Sequence, residues 1–447
     1  MKNNIDRRQF LKITGLSAAA AGAAGIFDGC SDRTEEKEAG TMTYRINPAN
    51  DDRISILGYG CMRWPMTEDS EGNKTVDQDA TDRLVDFAIA HGVNYFDAAP
   101  MYLDGKCERV TGNALKRHPR SSYFIATKLS NFRDASAEAS MQMYRKSFED
   151  LQTDYIDYYL LHSVKDLNIF NRRFADNGMM DFLMEERKRG NIRNLGFSFH
   201  GNRKGFDELM SLHEKYHWDF VQIQLNYVDW NHASSRNTDA SYLMEELDKR
   251  GIPAIIMEPL LGGRLASLPD HLVDRLKEKA PQASIASWAF RFAGTHKGVL
   301  SVLSGMTYME HLQDNLRTYS PLVPLTDSEI SFLDETAELL KNYPTIDCTG
   351  CSYCMPCPYG INIPAILAHY NRCVNEGMIA TDNGSEDYRR NRRAFLIGYD
   401  RSVVEDSQAD HCIGCGRCAG ECPQNIDIPK ELFRIDRYIE KLRRNKF

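Results

Sequence analysis

Eight short apolar runs, separated by segments of helical periodicity, constrain the fold of this chain more than any other feature. Strands that are buried on both faces are rich in β-branched and aromatic residues in this way. The runs lie at 54–57, 95–97, 123–127, 156–161, 192–198, 220–225, 254–257 and 299–304. Helical periodicity is clearest at 80–91, 135–151, 182–189 and 240–250. This alternation predicts an α/β fold, a closed (β/α)8 or TIM barrel.

Glycines support the predicted helix ends. Gly92, Gly190 and Gly251 follow three of the helical segments, where a left-handed residue commonly ends a helix. The rival fold is an open doubly wound sheet, which normally carries a glycine-rich phosphate loop after its first strand. Residues 58–62 (GYGCM) match that loop poorly. The closed barrel is therefore the preferred fold.

Three consecutive strands end in ionisable side chains. The first of them delivers Asp97 and, after a break at the following proline, Tyr102; the next two end in Lys128 and His162. Parallel neighbours bring their carboxyl ends to one edge of a barrel, where the catalytic residues of such barrels lie. One such residue alone would more often be a structural partner. Four in register indicate an enzyme site.

The motifs around these residues resemble those of the aldo/keto reductase family. In chain order they are LGYG at 57–60, FDAA at 96–99 with Tyr102, ATK at 126–128, LLH at 160–162, GNIRNLGFS at 190–198, Gln222 with Asn226, and PLLGG at 259–263. The similarity runs from about Asn47 to Leu340. It implies an oxidoreductase that transfers hydride between NAD(P)(H) and a small carbonyl or alcohol.

The resemblance assigns a role to each of the four residues. Tyr102 is the expected general acid, and because a free phenol has a pKa of about 10, it must be tuned to transfer protons near neutrality. We expect the Lys128 ammonium to favour the phenolate. Asp97 would hold Lys128 and offset the cost of burying its charge. His162 would donate a hydrogen bond to the substrate oxygen.

The resemblance also predicts the nicotinamide contacts. Ser198 and Gln222 would meet the carboxamide. The other predicted contacts follow the seventh and eighth strands: Leu260, Gly262, Ser304, Gly305, His311 and Asn315. Family members that prefer NADP place Lys or Arg where this chain has His311, since a guanidinium grips the 2′-phosphate. NAD and NADP therefore both remain open, and Arg264 is expected either at the pyrophosphate or on the exposed surface.

Nine of the twelve cysteines lie between Cys348 and Cys422, eight of them in two tight motifs. The second motif has the bacterial ferredoxin spacing, in which the cysteine before proline ligates the other cluster. This rule predicts two [4Fe–4S] clusters. The first would be held by Cys348, Cys351, Cys354 and Cys422, and the second by Cys357, Cys412, Cys415 and Cys418. Helical stretches at 365–376 and 388–398 make the region similar to α-helical dicluster ferredoxins, whereas zinc is the alternative metal.

The first forty residues have the features of a targeting segment. Arg7 and Arg8 followed by Phe-Leu-Lys and a run of small residues resemble a twin-arginine (Tat) export signal, with a charged linker up to residue 40. Cys30 is a weak candidate for lipid attachment. The apolar stretch is too short for a stable membrane span, so none is expected in the mature protein. Export after folding suits a protein that receives clusters in the cytoplasm.

These observations predict three parts: signal and linker at 1–40, barrel at 41–340 and iron–sulfur domain at 341–447. The net charge of −8 argues against nucleic acid as a partner. A redox protein is the expected macromolecular partner, and Arg389–Arg393 either attract it or form a solvated helix face. The rival function is a non-catalytic or nicotinamide-independent electron-transfer protein that keeps the barrel as a scaffold.

Overall fold

The computed structural model describes residues 41–70, 73–233 and 237–446. The predicted export signal, its linker and Cys30 lie outside these residues. The barrel and the C-terminal segment belong to one compact unit.

Twelve strands are present in the described residues. In chain order they are β1 (Tyr44–Ile46), β2 (Arg53–Ser55), β3 (Leu57–Gly60), β4 (Met66–Glu68), β5 (Lys74–Val76), β6 (Tyr95–Asp97), β7 (Phe124–Leu129), β8 (Ile156–Val164), β9 (Ile192–Phe199), β10 (Phe220–Gln224), β11 (Ala254–Met257) and β12 (Val299–Ser304).

Eight of these strands close into a barrel with parallel pairing, in the order β3-β6-β7-β8-β9-β10-β11-β12 and back to β3. Closure is made by the pairing of Val302 with Leu57 and of Ser304 with Tyr59. The barrel predicted from the alternating pattern is therefore confirmed. All nine residues of β8 are buried, as expected of a strand covered on both faces.

The first strand is the one whose predicted bounds were wrong. The apolar run at 54–57 spans a boundary: Arg53–Ser55 pair antiparallel with β1, whereas the barrel strand begins at Leu57. The β1–β2 hairpin closes the amino end of the barrel, where Ile54 joins the interior cluster and Asn47 donates to the Tyr158 hydroxyl at 3.0 Å. A single hydrophobic run cannot show where a chain leaves one sheet and enters another.

The helices surround the barrel and continue into the C-terminal region. They are α1 (Gln78–Ala90), α2 (Cys107–Leu115), α3 (Ala137–Leu151), α4 (Leu167–Phe170), α5 (Met179–Arg189), α6 (Arg203–Ser211), α7 (His213–Tyr216), α8 (Asp229–His232), α9 (Ala240–Asp248), α10 (Asp270–Lys279), α11 (Ile285–Thr295), α12 (Met309–Tyr319), α13 (Asp327–Lys341), α14 (Ile363–Asn375), α15 (Tyr388–Ser402), α16 (Arg417–Glu421) and α17 (Ile428–Arg443). Within the described ranges, none of these helices combines the length and the apolar character that a membrane crossing requires.

Side-chain caps fix where several helices start. The Asp77 carboxylate accepts a hydrogen bond from the Ala80 amide at 2.9 Å and begins α1. Thr326 and Glu329 form a reciprocal capping box at the start of α13. Gly190 and Gly251 adopt the left-handed conformation after α5 and α9, with φ of 80° and 66°. The glycine signals in the sequence therefore mark these helix ends correctly.

The C-terminal region has a hydrophobic core of its own. The cluster includes Ile346, Ile366, Phe395, Ile435 and the cysteine Cys422. Each Cys-Pro motif runs into an Ile-x-Ile-Pro sequence, and each such sequence starts a helix, α14 or α17, with proline in the first turn and an Asn or Asp side chain at the N-cap. The repeated motif thus directs the chain away from each cysteine group in the same way.

Candidate active site and iron–sulfur region

A buried ion pair lies at the carboxyl edge of the barrel. The Lys128 ammonium on β7 donates to the Asp97 carboxylate at the end of β6 and to the Ala98 carbonyl at 2.8 Å. The two side chains are 1% and 4% exposed. Burial raises the pKa of Asp97, while Lys128 and Gln222 oppose this shift. The pair places a positive charge at the edge where the predicted site lies.

Tyr102 faces this ammonium from a short turn, Tyr102–Gly105, in which Leu103 and Asp104 hold left-handed backbone angles. Its ring centroid lies 5.2 Å from Lys128 Nζ and 5.8 Å from the His162 ring. We expected the ammonium to lower the Tyr102 pKa. In this arrangement the pKa of Tyr102 lies well above its usual value, because burial and the neighbouring Tyr353 and Asp97 all disfavour the phenolate.

His162 completes the group of four at the end of β8. Burial, followed by the nearby charges of Lys128 and Arg173, lowers its pKa well below the usual value, so the imidazole is neutral. Its Nδ1 lies 2.5 Å from Ser130 Oγ and its Nε2 lies 2.7 Å from the Tyr353 hydroxyl. The structure thus brings Asp97, Tyr102, Lys128 and His162 together, as the strand ends predict.

Tyr353 was not predicted to be part of this site. It belongs to the first cysteine motif, between Cys351 and Cys354. Its hydroxyl contacts His162, which lies 191 positions earlier in the chain. Its ring packs against His162 and Phe132, with centroid distances of 5.7 and 5.9 Å. The iron–sulfur region therefore contributes a side chain to the barrel's active-site edge.

The residues predicted for the carboxamide are buried at the same edge. Ser198 Oγ accepts a hydrogen bond from the Ser163 amide at 2.7 Å. The side-chain oxygen of Gln222 is buried and has no hydrogen-bond partner among the described residues. An unpartnered acceptor suits the amide of a nicotinamide, so this end of the predicted cofactor site fits.

The loop predicted for the phosphates is covered. Gly262, with φ of +67°, faces Thr349, and a β-carbon on Gly262 would stand 2.2 Å from the Thr349 carbonyl oxygen. Arg63 holds that same oxygen through a 2.9 Å hydrogen bond. The Arg63 side chain also packs on Gly305, where a β-carbon would meet it at 3.1 Å. A dinucleotide lying along these loops does not fit while Thr349 stays in place.

The remaining residues predicted to contact the cofactor differ in how exposed they are and in what they bind. Asn315 donates to Ser304 Oγ at 3.0 Å, so these two residues bind each other. His311 is exposed and packs edge-on against Tyr308. Leu260 is partly buried behind the covered loop. The adenosine end of the predicted site is thus open, and the pyrophosphate end is closed.

Arg264 does not point to a phosphate position. It donates to the Asp347 carboxylate and to the Thr345 hydroxyl, both at 2.9 Å. Further along the same face, the side chains of Gln224 and Gln424 bond to each other, at 2.9 and 3.3 Å, and Lys165 donates to the Gly420 carbonyl at 2.9 Å. The C-terminal region therefore lies across the carboxyl face of the barrel.

The cysteines of the first predicted group line one small cavity, together with Thr349, Pro364 and Leu367. Its cysteines are Cys348, Cys351, Cys354 and Cys422. Burial raises the pKa of Cys351 to about 12, so this thiol stays protonated unless a metal takes the proton's place. Cysteines from both motifs thus meet at one site.

The second group also gathers side chains from both motifs. Burial raises the pKa of Cys418 to about 11, and Cys412, Cys357 and Cys415 are close enough to contribute to this rise. Across the described ranges, no three His, Cys, Asp or Glu side chains converge closely enough to hold one metal ion.

Several site residues carry no signal in the sequence that would have identified them. Ser130 and Phe132 follow β7, and Arg173 donates to the His162 and Ser163 carbonyls at 2.8 and 3.1 Å. Thr349 and Tyr353 are spacers inside a cysteine motif. An aromatic residue between two closely spaced cysteines is unusual enough to notice, but its partner on the barrel is set by tertiary packing alone.

Comparison with known proteins agrees with this description. Residues 56–338 match the model of the aldo/keto reductase family, and residues 347–426 match that of the 4Fe-4S dicluster domain. L-galactose dehydrogenase of Arabidopsis thaliana is 25% identical over 65% of this chain and 92% of its own length. Methylglyoxal reductase YeaE of Escherichia coli is 26% identical over 66% of this chain and 95% of its own length.

Two solved structures show the same fold. The holo form of aldo-keto reductase AKR11C1 from Bacillus halodurans matches with a TM-score of 0.53 and 21% identity, over 66% of this chain and 96% of that one. An aldo/keto reductase from Klebsiella pneumoniae, in complex with NADP and acetate, matches with a TM-score of 0.52 and 21% identity, over 66% and 95%. With a family model that spans more than half of its length, the chain belongs to the aldo/keto reductase family.

Proposed function

We propose that this oxidoreductase interconverts a small carbonyl compound and its alcohol, with Tyr102 exchanging the proton at the substrate oxygen. The observation that carries the proposal is the buried Lys128–Asp97 pair beside the Tyr102 ring. As the carbonyl carbon gains an electron pair, negative charge develops on its oxygen and a donor must protonate it. The phenolate that remains on Tyr102 is stabilised by the Lys128 ammonium.

His162 orients the substrate oxygen in this scheme. Because the imidazole is neutral, one ring nitrogen donates and the other accepts. For Nε2 to donate to a substrate, Nδ1 must accept, and the Ser130 hydroxyl at 2.5 Å supplies the hydrogen for it. The Ser130 contact is compatible with this tautomer, and burial together with Lys128 and Arg173 disfavours the charged form of His162.

We propose that the eight cysteines hold two [4Fe–4S] clusters, one in each of the two groups described above. Such clusters transfer single electrons between a protein partner and a buried site. The proposal is supported by the match to the dicluster model and by the meeting of both motifs at each group. A purely structural role for the clusters would leave their reduction without effect on the barrel reaction.

Two candidate functions differ in the source of the electron pair that reduces the carbonyl. Nicotinamide is the source in the first, by analogy with the Klebsiella pneumoniae relative whose structure contains NADP. In the second, the protein does not use nicotinamide: the clusters would pass two single electrons from a reduced protein partner, Tyr102 would protonate the oxygen, and a second proton from solvent would go to the carbon. The position of Thr349 against Gly262 favours the second while the face is closed.

The test is a panel of aldehydes and ketones supplied with NADH, NADPH or reduced methyl viologen. Replacing Tyr102 with Phe is expected to lower the rate at least about a hundredfold with the active donor, because the proton donor is lost. Tyr123→Phe is the matched control: a buried tyrosine that precedes β7, at the other end of the barrel. Full activity of Tyr102→Phe would refute the mechanism, and clusters that are reduced without any carbonyl turnover would favour the scaffold alternative.

We also propose that the chain is exported by the Tat route to the periplasm or the membrane surface, on the basis of Arg7 and Arg8. Replacing both arginines with lysine is expected to retain the protein in the cytoplasm. Cell fractionation of a bacterium with a working Tat system measures this. Export of the double variant at the normal level would contradict the proposal, and an unchanged mass at the Cys30 peptide would exclude lipidation.

A further inference from the structure

The Tyr353 hydroxyl occupies the place where the active-site hydrogen-bond donors meet. It lies 2.7 Å from His162 Nε2, and it is close enough to the Tyr102 phenol to influence its ionisation. Tyr102 and His162 are the side chains that would hold the substrate oxygen under the proposed function. The Tyr353 hydroxyl already occupies the hydrogen-bonding position at His162 Nε2, so a carbonyl oxygen and this hydroxyl compete for it.

The ring of Tyr353 fills part of the active-site pocket next to His162. Phe132 lies between it and Arg173, whose guanidinium carbon is 4.3 Å from the Phe132 ring centroid. Phe132 also packs on the His162 ring at 5.1 Å. The aromatic ring of Tyr353 therefore fills space next to His162 in which the body of a substrate would lie.

A second contact closes the same face a few residues earlier in the segment. Thr349 covers Gly262, and its carbonyl oxygen is held by Arg63. Asp347 and Thr345 are tied to Arg264. Ser352, immediately before Tyr353, has a left-handed backbone with φ of 63°, which an L-residue adopts only when its surroundings impose it. Residues 345–354 are thus fixed to the barrel at several points.

We propose that residues 345–354 close the active site of this chain and that the Tyr353 hydroxyl takes the place of the substrate's carbonyl or alcohol oxygen. The segment must swing away before a carbonyl compound or a dinucleotide can bind to the barrel. Three of its residues, Cys348, Cys351 and Cys354, face the same cavity as Cys422, so the cysteine site fixes the position of the closing segment. This inference rests on the proposed function, which identifies Tyr102 and His162 as the oxygen-binding pair.

The test compares holoprotein variants by two measurements, NADPH binding followed by fluorescence and hydrogen–deuterium exchange of residues 258–263. Tyr353→Ala is expected to bind NADPH at least about tenfold more tightly than the wild type, which corresponds to about 1.4 kcal/mol. Exchange at 258–263 should accelerate, because the segment has lost one of its contacts with the barrel and Thr349 leaves Gly262 more often. Tyr359→Ala is the matched control: Tyr359 also neighbours a cluster cysteine, but it is 45% exposed.

A second variant controls for the possibility that Tyr353→Ala loses its clusters. Tyr353→Phe keeps the ring and removes only the hydroxyl, so it should retain iron and show a smaller gain in binding, about twofold to fivefold, because a neutral hydrogen bond contributes about 1 kcal/mol or less. Iron content and visible absorbance are measured for every variant. The binding and exchange of both Tyr353 variants are compared with those of wild-type protein that has the same iron content.

The outcomes separate this inference from the proposed function. Accelerated exchange in Tyr353→Ala without NADPH binding supports closure and removes nicotinamide from the proposed function. Wild-type protein that binds NADPH as tightly as Tyr353→Ala overturns the inference and leaves the nicotinamide-dependent function standing. Unchanged exchange together with unchanged binding overturns the inference as well.

Discussion

The Lys128 ammonium and the Asp97 carboxylate form an ion pair with almost no exposure to solvent at the carboxyl edge of the barrel. Neighbouring parallel strands, β6 and β7, place them side by side. Such a pair adds little net stability, because desolvation offsets most of the attraction, yet the loss of one partner leaves the other charge buried and unpaired.

Replacing Lys128 with Met is therefore expected to destabilise the protein by about 3–5 kcal/mol, since Asp97 keeps a buried charge without a counter-ion. Thermal unfolding of the cluster-loaded protein measures the change. Lys188→Met is the control, because Lys188 and Glu185 pair on the exposed surface, where solvent screens the attraction and little stability is expected to be lost. Adding Asp97→Asn to Lys128→Met should recover part of the loss; a double variant less stable than Lys128→Met would contradict this account.

Glu108 gives the protein a pH-dependent stability. It is buried beside Thr127, and burial raises its pKa to about 7. The folded state therefore keeps a proton that the unfolded state releases, so the contribution of Glu108 to stability is fully present below pH 4.5 and is lost as the pH rises towards 7. The contribution lost is at most about 3 kcal/mol.

Melting temperatures between pH 5.5 and 8 measure this contribution. Glu108→Gln keeps the hydrogen-bonding shape and cannot ionise, so its melting temperature should change less over this range than that of the wild type. Glu138→Gln, at an exposed position in the first turn of α3, is the control. Parallel curves for Glu108→Gln and the wild type would show that Glu108 does not titrate in this window.

Substitution of Gly262 measures how closely residues 345–354 pack against the barrel. Alanine at Gly262 strains a left-handed backbone and also drives a β-carbon into Thr349, whereas alanine at Gly251, with nearly the same φ and nothing within 4 Å, produces only the backbone strain. We expect Gly251→Ala to cost about 1 kcal/mol and Gly262→Ala about 1–3 kcal/mol more. Protease sensitivity at residues 345–354 should rise only in Gly262→Ala, and equal behaviour of the two variants would contradict the close approach.

Cys422 tests the sharing of cysteines between the two motifs. If it completes the site of Cys348, Cys351 and Cys354, Cys422→Ser should lower the iron content from about eight to about four atoms per chain. Cys373→Ser is the matched control, because Cys373 is also buried in the C-terminal core and lies outside both groups. Loss of all the iron would mean that the two sites do not form independently, and full retention would assign Cys422 no role as a ligand.

The sequence predicts the barrel and the convergence of Asp97, Tyr102, Lys128 and His162, because both follow from local patterns. Strand alternation sets the architecture, and parallel strands bring their ends to one edge. The cysteine spacing likewise predicts which side chains gather in each group. These features depend on residues that are close in sequence or repeat along it.

Tyr353 and Thr349 could not be predicted in the same way. Their contacts with His162 and Gly262 depend on how one region docks on another, and no periodicity or spacing encodes that arrangement. The raised pKa of Tyr102 is a consequence of the same docking, since Tyr353 is the neighbour that contributes most after burial. The end of β2 was misplaced for a simpler reason, because one apolar run serves both the hairpin and the barrel.

The position of Cys422 near the end of the chain has a consequence for biosynthesis. The first cysteine group can be completed only after the ribosome has made the whole barrel and both motifs, because its fourth member comes last. We therefore expect residues 345–354 to settle on the barrel only once synthesis of the chain is complete.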